Sequence, residues 1–370
     1  LNFDVIYSNT SFVNALRRII LSEVETVSFD TDDYENTSVK IIENESALHN
    51  EFLLHRIGLI PITVDDIDTF NIEKYKFIID VENKSQKIID VTSKDIQVMN
   101  LETNSLEDNE KFFPADPFTK DYILINRLKP ALNGTKGESL KMELKSIKNS
   151  GSVNSRFSPV SNIYFINKRD PEKIEEALKT YLLNENNTKQ KFMIEEADRY
   201  FYTDKQGNPN VFEFSVETVG VMKPYKIILA GLTKLGFKIK KFNIEFEKAI
   251  SNKDSRIKIN QSQSLMKAFD IQIDDETHTL GHLLQSYLNL MNEDIFVAYK
   301  NPHPLKKNIV FRIKVDDMSK LKEIILDTLS TLIDMIEKLR KSILLKFEKK
   351  KFIKKKSPTP KGAPDQTLVP

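Results

Sequence analysis

The chain of 370 residues contains no cysteine and no tryptophan. Without cysteine there is no disulfide framework, no thiol nucleophile, no iron–sulfur cluster and no cysteine-ligated zinc. Long apolar runs are missing as well. None approaches the ~18–20 residues of a membrane-spanning helix, so no membrane partner is expected. No signal-peptide pattern opens the chain, which begins at Leu1. An excess of one charge is also absent: 55 Lys and Arg stand against 54 Asp and Glu, a formal net charge of +1. That balance argues against a protein whose whole surface grips nucleic acid.

What is present is an ordinary globular composition, 40% apolar and 29% charged, at a length that suggests two or three domains. Leu1, Phe3 and Val5 alternate as on a half-buried strand. Asn9, Thr10 and Ser11 offer cap oxygens to a helix on which Val13, Leu16, Ile20 and Val24 recur at helical spacing. Val27 and Phe29 begin a second strand. The next stretch, 32–157, reads as an inserted β-rich domain, with short strand-like runs at 77–81, 88–91, 123–128 and 139–144. A helix is predicted from Asn44 as cap to Ile57, with Gly58 as its left-handed stop and a strand over 60–64 behind it. From 158 the pattern firms up. A strand over 159–166, helices over 172–184 and 190–200, and the alternating Phe212, Phe214 and Val216 lead into a long helix opened by Pro224. Its seam is Ile228, Leu232, Leu235, Ile239, Phe242 and Phe246, weakened locally by Gly231 and Gly236.

Residues 251–266 read as a polar linker. After it the opening pattern returns at an offset of 268 positions: Leu1, Phe3 and Val5 fall on Phe269, Ile271 and Ile273, and Val27 and Phe29 on Ile295 and Val297. The second helix carries Leu280, Leu283, Leu284, Tyr287 and Leu288 on one face. Ile309, Phe311, Ile313 and Val315 then alternate before a last helix with the seam Leu321, Ile325, Leu329, Leu332, Ile336 and Leu339. Phe212, Phe214 and Val216 are matched to Phe311, Ile313 and Val315. The expectation is an α+β chain in which one module, a small antiparallel sheet plus two helices, occurs twice. Residues 1–31 and 158–250 form the split first copy, and 267–346 the second. A basic tail, 347–370, is expected to be disordered. A helix with a single apolar stripe needs a partner, so the seam residues, with Val13, Leu16 and Ile20, are the candidate pairing interface.

Against this background several motifs resemble one family. Asn14-Ala15-Leu16-Arg17-Arg18-Ile19-Ile20-Leu21 resembles the first helix of the bacterial RNA polymerase α subunit. Its counterparts are the third-largest component of eukaryotic polymerase II and the D polypeptide of the archaeal enzyme. His55-Arg56-Ile57-Gly58-Leu59-Ile60-Pro61-Ile62 and Phe157-Ser158-Pro159-Val160 resemble the eukaryotic and archaeal proteins. The stretch 275–284, with Ala298-Tyr299-Lys300 and Pro302-His303-Pro304-Leu305, resembles their small partner, the eleventh eukaryotic polypeptide or archaeal L. A chain holding both resembles the fused subunit of large cytoplasmic DNA viruses. The resemblance implies a non-catalytic assembly platform on which two large catalytic subunits gather, with two small assembly subunits on the N-terminal half and DNA met only through the complex. It implies large-subunit contacts at Arg17, Arg18 and Leu21, and a matching face near Gln285 and Ser286. It places the work in the host cytoplasm and virion if the source is viral, otherwise in the nucleus. Many relatives hold zinc or an iron–sulfur cluster by cysteines in the insert. This chain has none, so no cofactor is expected. His282 stands where relatives often carry Asn.

Other readings are weaker. His278 and His282 with Glu276 have zinc-like spacing, but His278 is expected before the helix start, so the pair straddles the cap. Asp65, Asp66 and Asp68, and Asp30, Asp32 and Asp33, read as solvated turns rather than polymerase metal ligands. The basic run 346–356 suits a helix end and, less strongly, phosphate contact. The alternative function is a free-standing transcription-factor-like scaffold with the same pseudo-dimer. No motif supports an active site in this chain.

Overall fold

The computed structural model describes residues 1–31, 38–131, 136–184, 186–251, 253–262, 266–292 and 294–356, with side chains as far as Phe347. Asp32, Asp33 and the tail from 357 onward lie outside them. In chain order the elements are β1 (Asn2–Ile6), α1 (Thr10–Ser22), β2 (Glu25–Phe29), β3 (Val39–Asn44), α2 (Asn50–Gly58), β4 (Tyr75–Glu82), β5 (Ile89–Thr92), β6 (Gln97–Asn100), β7 (Ser105–Glu107), β8 (Leu124–Leu128), β9 (Ser139–Leu144) and β10 (Ser146–Ser150). There follow β11 (Val160–Asn167), α3 (Pro171–Tyr181), α4 (Lys189–Glu195), β12 (Val211–Thr218), α5 (Pro224–Ile250), β13 (Ile257–Gln261), β14 (Ala268–Asp274), α6 (His278–Met291), β15 (Val297–Lys300), β16 (Asn308–Lys314) and α7 (Met318–Lys356).

Two antiparallel sheets, in the orders β1-β12-β11 and β13-β14-β16-β15, carry the two modules. Their helices α1, α5, α6 and α7 close over one hydrophobic core that is continuous through both. A second core belongs to the insert, whose five-stranded sheet runs β3-β9-β4-β6-β7. Its centre is packed with aromatic rings: Phe77 meets Phe29, Phe112 and Phe113 edge-on at 5.4–5.9 Å between ring centroids.

The repeat exists, but two of its correspondences shift. Phe3 pairs with Phe214, and its counterpart Ile271 pairs with Phe311. The second halves therefore match at an offset of 97, so Phe214 corresponds to Phe311 rather than to Ile313. At this offset the helix seams superpose without a gap: Ile228 on Ile325, Leu232 on Leu329, Leu235 on Leu332, Ile239 on Ile336, Phe242 on Leu339 and Phe246 on Ile343. The match of Val27 and Phe29 to Ile295 and Val297 fails. β15 pairs with β16, whereas β2 leaves the module to pair with β10, and its Val27 and Phe29 enter the insert's core. The strand beside β12 is β11 instead.

Further expectations need correction. The 251–266 linker contains β13, because Ile257 and Ile259 alternate and pair with Ile273 and Ile271. Asn44 ends β3, and the helix behind it starts later, with His49 as cap. Gly58 is not a left-handed stop; it is helical, and a Cβ there would come within 2.4 Å of Thr31 Oγ1. Residues 60–64 form no strand. They run as a clip in which Val64 N donates to Val221 O and Thr63 N to Phe112 O, joining insert and module. Finally, α7 continues to Lys356, past the expected boundary at 346. The apolar stripe ends near Ile343, but lysines sustain a helix, so loss of the stripe does not end it.

Candidate assembly interface

The module-pairing surface is built by helices whose starts are fixed locally. Asn9 caps α1 by accepting from Phe12 N, and Thr277, its counterpart at offset 268, caps α6 by accepting from Thr279 N. Pro224 opens α5, where its missing N–H costs nothing. The long helices then exchange ends. Phe242 of α5 packs with Leu284, Leu288 and Ile325 over the second sheet. Leu339 and Ile343 of α7 pack with Val13, Leu16, Ile228 and Leu232 over the first. At the far end Phe347 stacks on Tyr225 at 4.4 Å, so α7 runs back along α5 to its first turn.

Each residue expected in the seam lies in this shared core. Val13, Leu16, Ile20, Ile228, Leu232, Leu235, Ile239, Phe242, Leu280, Leu283, Leu284, Tyr287, Leu288, Leu321, Ile325, Leu329, Leu332 and Ile336 are buried, and Leu339 is partly so. Burial pushes the Tyr287 hydroxyl pKa up; the group lies 3.5 Å from Met335 Sδ. Gly231, read from sequence as a weak point, is a contact: a Cβ would meet Ile20 Cγ1 at 2.5 Å, so glycine lets α5 cross close to α1. Gly236 has no such role, its nearest neighbour being Ile336 Cγ2 at 3.8 Å.

The residues expected to meet a large subunit separate. Arg18, although exposed, donates from Nε to Thr279 Oγ1 across the module boundary at 2.8 Å. Arg17 is half-buried and donates to Asn14 Oδ1; burial, with Arg18 beside it, lowers its pKa. Leu21 is 40% exposed on the same face. On α6, Gln285 Nε2 reaches Val297 O at 3.4 Å. His278 is the first helical residue of α6 rather than a residue before it, and its Nδ1 lies 3.2 Å from Tyr299 OH. Among the described residues no three His, Asp or Glu side chains gather as metal ligands. Asp65 lies 3.4 Å from Lys226 Nζ but its side chain is 89% exposed, as in a solvated turn, whereas Asp30 pairs at 2.9 Å with Arg156, whose side chain is 7% exposed.

Reading single helices missed a charged cluster that only the pairing brings together. Lys238 Nζ of α5 lies 2.6 Å from Glu23 Oε1 and 3.3 Å from Glu276 Oε2, and Arg256 Nη2 lies 3.2 Å from Glu276 Oε1. Glu276 is 3% exposed. The usable signal was Lys238, a charge placed between Leu235 and Phe242 beside the apolar seam of α5. The outer faces also differ. Phe237 and Ile244 of α5 are 64% and 55% exposed, whereas their α7 counterparts are Asp334 and Lys341.

Comparison with known proteins follows the same division. A family model described as the RNA polymerase Rpb3/Rpb11 dimerisation domain matches residues 2–239, and a second of that description matches 268–342. A conjugation stage-specific protein of Tetrahymena thermophila is 26% identical over 274 residues, 62% of this chain and 86% of that one. Subunit 3 of DNA-directed RNA polymerases II, IV and V of Arabidopsis thaliana is 23% identical over 283 residues, 64% of this chain and 85% of its own. The DNA-directed RNA polymerase subunit Rpo3 of Pyrococcus furiosus is 35% identical over 103 residues, 26% and 37% of the two chains.

Proposed function

This chain belongs to the RNA polymerase Rpb3/Rpb11 dimerisation-domain family, and from that premise we propose that it is a non-catalytic assembly subunit of a multisubunit DNA-directed RNA polymerase. The observation that carries the reading is that both halves of the platform, matched separately, share one core within a single chain. Such a chain needs no second copy to complete the platform. Its task is to present two outer faces to subunits that do the chemistry.

One large catalytic subunit takes the α1 face of Arg17, Arg18 and Leu21; the other takes the α6 face near Gln285 and Ser286. Small assembly subunits dock on the N-terminal half. Exposure of Phe237 and Ile244, where the second module carries charge, supports that side. No metal or other cofactor is needed in this chain, and DNA is reached through the complex. Its place of work is nuclear or cytoplasmic transcription machinery; the joining of both modules in one chain favours a viral factory and virion.

Affinity purification of the full chain, followed by mass spectrometry, tests the reading. Two large polymerase subunits should co-purify. Arg17→Ala with Leu21→Ala should reduce recovery of one of them at least severalfold while the protein stays folded. Recovery of transcription factors without any large subunit would favour the free-standing scaffold.

A further inference from the structure

The two ends of the module interface are related by the repeat, so each residue at one end has a counterpart at the other. At one end stand Glu276, Lys238, Arg18 and Thr279, linked across the boundary by the ion pairs and hydrogen bond described above. Their counterparts at offsets 268 and 97 are Ser8, Met335, Ser286 and Ser11. These four line a groove at the opposite end, together with Asn9, Asn210, His282 and Asp204. The fold is repeated, but its charge is not.

This one-sidedness has a consequence for partner choice. Suppose two second modules paired with each other. Each Glu276 would then face Met335 instead of Lys238, losing its cation from the long helix while remaining buried. Suppose two first modules paired. Each Lys238 would face Ser8 and keep only Glu23 of its own module. Only the mixed pairing places a carboxylate and an ammonium together across the module boundary, and it does so where little water reaches and a missing partner is costly. The middle of the apolar seams cannot make this distinction, since Leu235 and Leu332 are identical and Ile239 and Ile336 are too.

We propose that the Lys238–Glu276 pair, flanked by Glu23 and Arg256, is the recognition element that makes module pairing heterotypic, selecting a first module for each second module. The seam supplies adhesion and the pair supplies choice.

Charge reversal in the full chain tests this. Lys238→Glu alone and Glu276→Lys alone each place like charges together within the chain. When the two variants are unfolded, mixed in equal amounts and refolded, each first module finds a complementary second module only in the other chain. Size exclusion with light scattering should show a reciprocal dimer in the mixture, which neither variant gives alone; the doubly reversed chain should be monomeric. Monomers only from the mixture, as stable as the parent chain, would overturn the proposal. Should reversal prevent folding, Lys238→Met and Glu276→Ser install the residues of the opposite end. Their effects on the unfolding equilibrium should be coupled by at least about fivefold, the double variant being more stable than the singles predict. Additive effects would overturn the proposal.

Discussion

The two modules share a plan and differ at one strand. In the second, α6 leads into β15, which pairs at once with β16. In the first, α1 leads into β2, which departs to the insert, and β11 arrives much later in sequence to take the equivalent place beside β12. The sheet needs a strand at that position but does not need it from a particular part of the chain. A domain can therefore be inserted in the hairpin, provided that its exit supplies the strand its entry removed. The price is a junction that must be locked. Arg156 pairs with Asp30 at 2.9 Å, and Thr26 Oγ1 donates to Phe157 O at 2.8 Å.

Substitutions at matched positions test how equivalent the modules are. The largest effect is expected from Leu235→Asp and its counterpart Leu332→Asp, each burying a carboxylate in the shared seam and costing more than the ~2–5 kcal/mol of a truncation to alanine. Chemical denaturation should show both losing the folded core. Survival of one would mean that the halves of the interface are not equivalent. Next comes Gly231→Ala, expected to cost about 1–3 kcal/mol through the clash with Ile20, whereas Gly236→Ala on the same helix should gain about 0.5–1 kcal/mol. Equal melting temperatures for the two would contradict the close crossing of α1 and α5. Arg18→Ala should cost about 0.5–1.5 kcal/mol for its bond to Thr279, against within about 0.5 kcal/mol for Ser286→Ala at the matching place.

The smallest effect concerns one rung of the ladder. Asp270 accepts from Arg312 Nε and Nη2, both at 2.7 Å, and that bonding holds its carboxyl below the usual carboxylate range. The matching rung in the first module is neutral, with Ser215 Oγ donating to Asn2 Oδ1 at 2.9 Å. A depressed folded pKa contributes stability above the unfolded value of about 4, and that stability is lost as the pH falls through the folded pKa. Asp270→Asn should thus lower stability at neutral pH by at most about 1 kcal/mol and have no effect once the carboxyl is protonated. Asn2→Ala should show no such pH dependence. Thermal melts between pH 2 and 7 would separate them.

Much of this was legible in the residues. Period-four and period-three steps gave both seams, and Asn9 and Pro224 marked helix starts, because amphipathicity and capping are local. Topology was less legible. Val27 and Phe29 look the same whether they pair with their own module or with the insert, since a half-buried strand does not name its neighbour. β13 was hidden by its polar flanks, and only pairing with β14 makes Ile257 and Ile259 a strand. At the interface the apolar residues were found and the charged cluster was not. Glu23, Lys238 and Glu276 are remote in sequence, and no local pattern joins them.

The strand β13 lies between the modules and is hydrogen-bonded to the second sheet, which makes the connection short and already ordered at one end. Joining the halves is then a unimolecular step whose rate does not change with dilution, unlike the meeting of two separate subunits. A cell making very few copies of this chain would complete each platform as readily as one making many, and always with one half of each kind.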